Sequence, residues 1–425
     1  MKKLKYLLLL ALISGFGRAK AHTLPQCKAQ LVVNNQNVLI HFKSPVEILE
    51  LAYKSTINLA SQSSVDNLKN YVLSHLSISD TLKSEWKVSI GHIFIQETKD
   101  AAIGNFPEIN IDIYLTPTNS ISLTNFIMNC DLVIHQIPTQ SIIFSVEQDW
   151  QNGIIQDNSK QIGVISIDIP TGKIYPFPVK LKEGTWWKGF KNMISLGISH
   201  ISEGTDHILF ILTLLLPAML LVDNKRWGHF AGEKKSFFNL LKITTAFTIG
   251  HSLTLMLGTI KWLTFPTTPI EVLIAITILI SAFHAFRPLY PKKEIFVAGG
   301  FGLIHGLAFA NTLTNLQLST QQMVLSILGF NIGIELMQLF VILITIPWLI
   351  LLSRTSFYTF FRIGGAILAG IAACAWMLER IQNEGNFITI LVGKLANQAI
   401  WLLVGLVVMA VLGYFSENKN NFGSS

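Results

Sequence analysis

Residues 200–207 of this chain are His-Ile-Ser-Glu-Gly-Thr-Asp-His, and they run directly into an almost unbroken apolar stretch, Ile208 to Leu216. Further apolar segments carry His251, His284, His305 and Glu335. Ionisable groups inside a membrane span are costly and face a cavity, a partner or a pathway. Imidazoles and carboxylates together are a ligand set for a divalent transition metal. On one continuous helix, His200 and His207 are seven residues apart and share a face, with Glu203 on that face too. Asp206 points elsewhere and is expected to hydrogen-bond an imidazole on a neighbouring helix, which would fix that ring's tautomer. The competing reading is a set of buried polar groups that only join helices.

His251 and His305 sit mid-segment in Thr-Ile-Gly-His-Ser-Leu-Thr and Gly-Leu-Ile-His-Gly-Leu-Ala. Glycines beside a histidine suggest close helix packing next to a ligand. A helix-to-helix hydrogen bond is the other reading of each. Asn331, Glu335 and Gln338 share one helix face by their three and four spacing, and Glu335 is placed to ligate metal or take a proton. His284 lies near the end of its segment and reads equally as ligand or structural group. Glu271 begins a segment and is expected at the interface, where a carboxylate costs little.

The elements that must position these groups are membrane helices. Half of the 425 residues are apolar and 13% are charged, against about 25% charged in soluble domains. The chain reads as an exported all-β, sandwich-like N-terminal domain followed by a polytopic α-helical bundle of seven spans. Residues 1–21 have the charged, apolar and small-x-small parts of a secretory signal, with Ala19-Lys20-Ala21 as cleavage site. Cleavage there would leave His22 first, and an α-amine beside an imidazole makes a second candidate metal site.

Residues 22–185 form the exported domain. Period-two patterning marks strands in Gln30–Phe42, Trp86–Glu97, Glu108–Leu115, Leu132–Gln148 and Gly163–Ile169, while Pro45–Leu76 is more helix-like or irregular. His41, His75, His92 and His135 are scattered here and read as ordinary surface or core residues. Cys27 and Cys130 fall in a compartment where a disulfide can persist, and their pairing is left open. Cys374 reads as a small buried side chain in an apolar helix.

Residues 186–190 form an interfacial linker at Trp186 and Trp187. Residues 191–414 divide into seven spans at about 191–222, 237–262, 270–289, 295–315, 322–351, 357–378 and 387–414, leaving residues 415–425 as a tail. Lys225, Arg226, Lys234, Lys235, Arg287, Lys292, Lys293, Arg354 and Arg362 fall in alternate connections. This places the C-terminus inside, in the cytoplasm of a bacterial inner (plasma) membrane, by the positive-inside rule. The net charge of +7 is thus topology control, and nucleic-acid binding is excluded as a function.

Five ordered blocks carry a resemblance: HISEGTDH with LFILTLLL, TAFTIGHSLTL, IEVLIAITI, GFGLIHGLAFA and GFNIGIELMQL. Together they resemble the HupE/UreJ family of hydrogenase and urease accessory membrane proteins, in the branch with a large exported N-terminal domain. His200, Gly204, Asp206 and His207 match the family's HPxxGxDH pattern, with Ile201 in place of the proline. The resemblance implies nickel or cobalt as the transported substrate, a permease or metal-handling accessory role, and His200, Asp206 and His207 as metal residues. Zinc or copper is the alternative cargo. It does not extend to residues 22–185, which are expected to meet a periplasmic or extracellular partner.

Two other functions fit parts of the sequence. An intramembrane zinc-dependent hydrolase would use the same groups to activate water. A membrane-anchored receptor would use only the β domain and leaves the histidines without a role. No GxxxxGK[ST] loop occurs, so ATP hydrolysis would need another subunit.

Overall fold

The computed structural model describes residues 25–100, 104–118, 123–155, 159–315 and 318–422. The expected signal segment 1–21 and His22 lie outside the described residues. The chain divides into two compact units, residues 1–183 and 184–425.

The first unit is β-rich. A six-stranded sheet has the order β4(Lys87–Asp100)-β5(Gly104–Thr116)-β2(Val38–Pro45)-β1(Cys27–Val33)-β7(Ile142–Asp149)-β8(Lys160–Ile165). A three-stranded sheet has the order β11(Phe177–Lys180)-β6(Asn125–Cys130)-β3(Leu76–Ser79). A short pair, β9(Ile167–Asp168) and β10(Lys173–Ile174), completes the strands. All neighbours in the large sheet are antiparallel except β1 and β7.

Alternating apolar side chains from both sheets meet in one core that includes Leu31, Ile40, Ile111 and Ile142 from the large sheet and Ile78, Phe126 and Met128 from the small one. Two helices, α1(Val46–Tyr53) and α2(Gln62–Ser74), add Leu49, Leu68 and Val72 to it. The segment expected to be helix-like is therefore two helices. The run from Gln30 to Phe42 is a hairpin of two strands rather than one. The first half of Leu132–Gln148 is a turn, because Leu132, Val133 and Ile134 are all buried together instead of alternating.

Cys27 and Cys130 are free buried thiols, and Cys27 Sγ donates to Ser44 Oγ at 3.4 Å. Burial pushes the Cys27 thiol up to about 11 and the Cys130 thiol up to about 12. Both are therefore protonated and poor nucleophiles near neutrality.

The second unit is helical. Residues 186–190, expected as a linker, form the first turn of α3(Trp186–Glu203), capped by the Thr185 side chain on the Lys188 N–H. Then come α4(Thr205–Ala218), a hairpin of β12(Leu220–Asp223) and β13(Arg226–Phe230), and α5(Glu233–Thr259). The remaining helices are α6(Thr267–Phe286), α7(Glu294–Asn315), α8(Thr320–Ser353), α9(Tyr358–Gln382), α10(Phe387–Ala396) and α11(Ala399–Phe422).

Among the described residues, five helices are long and apolar enough to cross a membrane, and α3 with α4 make a sixth if that bent pair counts as one. The sequence predicts seven. The difference lies in the bent pair and in α7, whose described apolar stretch covers only Glu294–Ala310, while the last predicted span is shortened to α11, with α10 a separate short helix. Cys374, expected to be buried, is exposed on α9.

Polar groups close the helix ends. Arg362, counted above among connection charges, is buried and donates to the Ala285 and Phe286 carbonyls at the end of α6. The Tyr358 hydroxyl donates to the Leu216 carbonyl on α4.

Two helix pairs approach without side chains between them. A Cβ on Gly302 would stand 2.0 Å from the Phe247 oxygen, and one on Gly250 would stand 2.2 Å from the Gly299 oxygen, so α5 and α7 are in backbone contact. Gly197 and Gly333 do the same for α3 and α8, at 2.1 Å from the oxygens of Phe330 and Ile194. Small residues permit this approach in membranes, and the facing backbone cannot yield to an added methyl. Gly302→Ala is expected to destabilise the bundle by roughly 1–3 kcal/mol, as overpacking does. Gly300→Ala, with nothing within 4 Å of its Cβ, should be neutral. Thermal unfolding in detergent reads the difference, and equal midpoints for the two variants contradict the packing described.

Candidate metal centre

The continuous helix expected through residues 197–216 does not exist. The chain breaks at Gly204, which ends α3 and begins α4 with φ −72° and ψ 95°, and the two helices bend by 71°. The added carbon of any other residue at 204 would meet the His200 oxygen and the His207 Nδ1, each at 2.7 Å. Thr205 and Asp206 open α4, and a carboxylate in a first turn is favoured by the helix dipole. The two histidines nevertheless meet, with ring centroids 4.6 Å apart. The fold brings them together around a corner instead of along one face.

From that pair a chain of imidazoles extends. His207 and the ring of His305 on α7 are 5.2 Å apart, and His200 and His251 on α5 are 6.3 Å apart. His207, His251 and His305 are all buried. Gly306, next to His305, lies so close to the His251 oxygen (2.2 Å from an ideal Cβ) that α7 is drawn onto α5 at this level. Aromatic rings wall the cluster. His200 packs on Phe309 and Phe330, which stack on each other at 4.2 Å, and His305 packs on Phe210 and Phe247.

Hydrogen bonds set which nitrogens are free. His207 Nδ1 is 3.0 Å from Asp206 Oδ1, so the carboxylate holds the proton on Nδ1 and leaves Nε2 a lone pair. This corrects the expectation that Asp206 reaches across to another helix: it serves its own neighbour. Thr277 on α6 donates its hydroxyl proton to the Ile274 carbonyl at 2.7 Å. Its oxygen, 3.0 Å from His305 Nε2, therefore accepts from that ring and leaves His305 Nδ1 as the lone pair.

Those two free atoms, His207 Nε2 and His305 Nδ1, are buried without a hydrogen-bond partner among the described residues. So is His200 Nε2, while His251 has the Asn331 side chain as its polar neighbour. Orphaned buried nitrogens of this kind cost about 1–3 kcal/mol each. A hydrogen bond on one ring nitrogen with the other left free is how metal-ligating histidines are held.

A cavity of about 350 Å³ opens at the cluster. His200, Glu203, Asp206, His207, Glu271 and His305 line it, with Trp376 and Arg380 from α9. Glu271, expected at an interface, is paired with Arg380 at 3.5 Å, and both side chains are part-exposed. The cavity thus opens where α6 begins and α9 ends, and its mouth has more carboxylates than cations. Glu203 shares the cavity with His200 but stands exposed at its rim.

Glu335 does not join this group. Its carboxylate accepts from Thr245 and Thr248 on α5 at 2.9 and 2.7 Å, with Gln338 beside them. It lies about one turn beyond His251 along α5, and Asn331 lies between the two levels along α8. The polar groups therefore form a track rather than one chamber. His284 stands apart altogether: it stacks on Tyr290 at 3.8 Å and accepts the Leu289 N–H, which shapes the loop after α6. Ser252 donates to the Thr248 carbonyl on its own helix, so it makes no dyad with His251.

Thr277 was not anticipated. A lone Thr in an apolar run ordinarily bonds its own helix, and only the position of His305 across the interface gives it a second use.

The fold and the site define a polytopic helical membrane protein with buried imidazoles along its core. Residues 178–380, just under half of the chain, match the family model described as HupE / UreJ protein, and this stretch is similar to that family. No curated protein matches the chain at a significant level. The match begins just before α3 and ends with α9, so it encloses every residue of the track.

Thr277→Val keeps the shape but removes the acceptor that holds the proton on His305 Nε2. The expected outcome is a roughly 10–100-fold loss of transition-metal affinity, as for other groups that orient a ligand. Titration of the detergent-solubilised protein with cobalt measures it, and unchanged affinity contradicts the tautomer assignment.

Proposed function

We propose that the helical unit is a permease for a divalent transition-metal ion, nickel or cobalt by its family, serving as a metal-handling accessory protein. The observation that supports this most is the run of unpartnered ring nitrogens on His200, His207 and His305, reached from a cavity rimmed by Glu203, Asp206 and Glu271. A cation is drawn to that rim and exchanges water for imidazole, a ligand that suits nickel. Beyond His251, Asn331 and then Glu335 with its threonines continue the polar path.

In the topology expected from the charge distribution, the ends of α6 and α9 at the cavity face outside. Uptake is then the direction, from a bacterial envelope into the cytoplasm. Ligand imidazoles bind metal only when neutral, so loading releases any protons they hold.

Proteoliposomes loaded with a metal-sensitive dye test the proposal. Nickel or cobalt should enter vesicles that contain the protein. The His200→Ala plus His207→Ala variant should fall to the rate of empty vesicles. Flux by that variant equal to the parent's overturns the reading.

A further inference from the structure

The N-terminal unit carries a second cluster, independent of the membrane track. β3 and β6 pair antiparallel with Leu76 opposite Cys130. The residues just outside that pair, His75 and Asp131, are therefore brought side by side, and the Asp131 N–H donates to the His75 carbonyl at 3.3 Å. The chain then makes a helical turn, with the His135 N–H on the Asp131 carbonyl at 3.1 Å. That turn returns His135 over Asp131. Leu132, Val133 and Ile134 are buried in the core, and the Tyr71 hydroxyl donates to the Leu132 carbonyl. The scaffold is anchored while its three polar side chains stay part-exposed.

The ring chemistry is directional. His75 Nδ1 lies 2.8 Å from Asp131 Oδ1, and His135 Nδ1 lies 2.9 Å from the Asp131 carbonyl oxygen. That carbonyl can only accept, so His135 carries its proton on Nδ1 and presents Nε2 as a lone pair. His75 Nδ1 and the Asp131 carboxylate already face each other, so an ion that displaces the proton between them meets both as donors. The rings lie nearly parallel, 4.1 Å apart at 15°. One ligand atom from each of His75, Asp131 and His135 lies within 4.8 Å of the others, the one such group of three among the described residues. Bonds of about 2.0–2.2 Å bring donors to roughly 3.5 Å separation, so side-chain rotations that tilt the rings toward each other close the site.

We infer that His75, Asp131 and His135 form an open site for a divalent transition-metal ion on the N-terminal unit. Three protein ligands leave further coordination positions to water, which suits capture and release better than permanent structural binding. The inference rests on the β domain alone and stands whether or not the helical unit transports.

The test uses full-length protein in detergent, with His200→Ala and His207→Ala already present and stripped of metal by chelator. Equilibrium dialysis against zinc alone, with metal counted by mass spectrometry, should find one zinc that adding His75→Ala plus His135→Ala removes. His135→Phe keeps the ring stack without a donor nitrogen and should remove the same zinc. Asp131→Asn should weaken it at least tenfold. Zinc content unchanged by the two-histidine variant, or retained in full by His135→Phe, overturns the site and leaves the cluster as a packing device.

Discussion

A lone pair that is buried and has no partner is unstable in an apolar bundle, and the membrane half of this protein holds several in one place. The hydrogen bonds from His207 to Asp206 and from His305 to Thr277 are what direct them. Each bond takes up one ring nitrogen and aims the other into the cluster. Without those two partners the rings could turn, bond backbone carbonyls and cease to be available. The energetic penalty of the free nitrogens, about 1–3 kcal/mol apiece, is what the proposed cation would recover on binding.

The rest of the helical unit keeps that arrangement in place. Gly204 breaks the first span so that His200 and His207 meet around a bend. Gly302, Gly306 and Gly250 bring α7 onto α5, which seats His305 and His251 at the same level. Stacked Phe309 and Phe330 exclude water from one side of His200. The Glu271–Arg380 pair stands at the cavity mouth.

Much of this was legible from residue types. The density of His and Asp around residue 204, and the glycines beside His305, point to the cluster directly. What misled was the assumption that one helix runs through Gly204. The pair His200 and His207 was found for the wrong geometric reason, since seven residues is two turns only if the turns are continuous. The signals for the break, a glycine followed by the helix-opening Thr205 and Asp206, are present but local, and the apolar run outweighs them. Glu335 shares a helix face with Asn331 and Gln338 as spacing requires, but spacing does not reveal that Thr245 and Thr248 hold it away from the cavity. His75 and His135 look ordinary because sixty residues separate them, and only the β3–β6 register joins them.

The central claim is that the buried imidazoles converge on a common ion. X-ray absorption at the nickel edge tests it most directly, on nickel-loaded protein carrying His75→Ala and His135→Ala so that only the helical unit contributes. The account predicts a nitrogen and oxygen shell with the outer-ring scattering of at least two imidazoles, diminished by His207→Ala. A shell of oxygens alone, or imidazole scattering indifferent to His207→Ala, would contradict it.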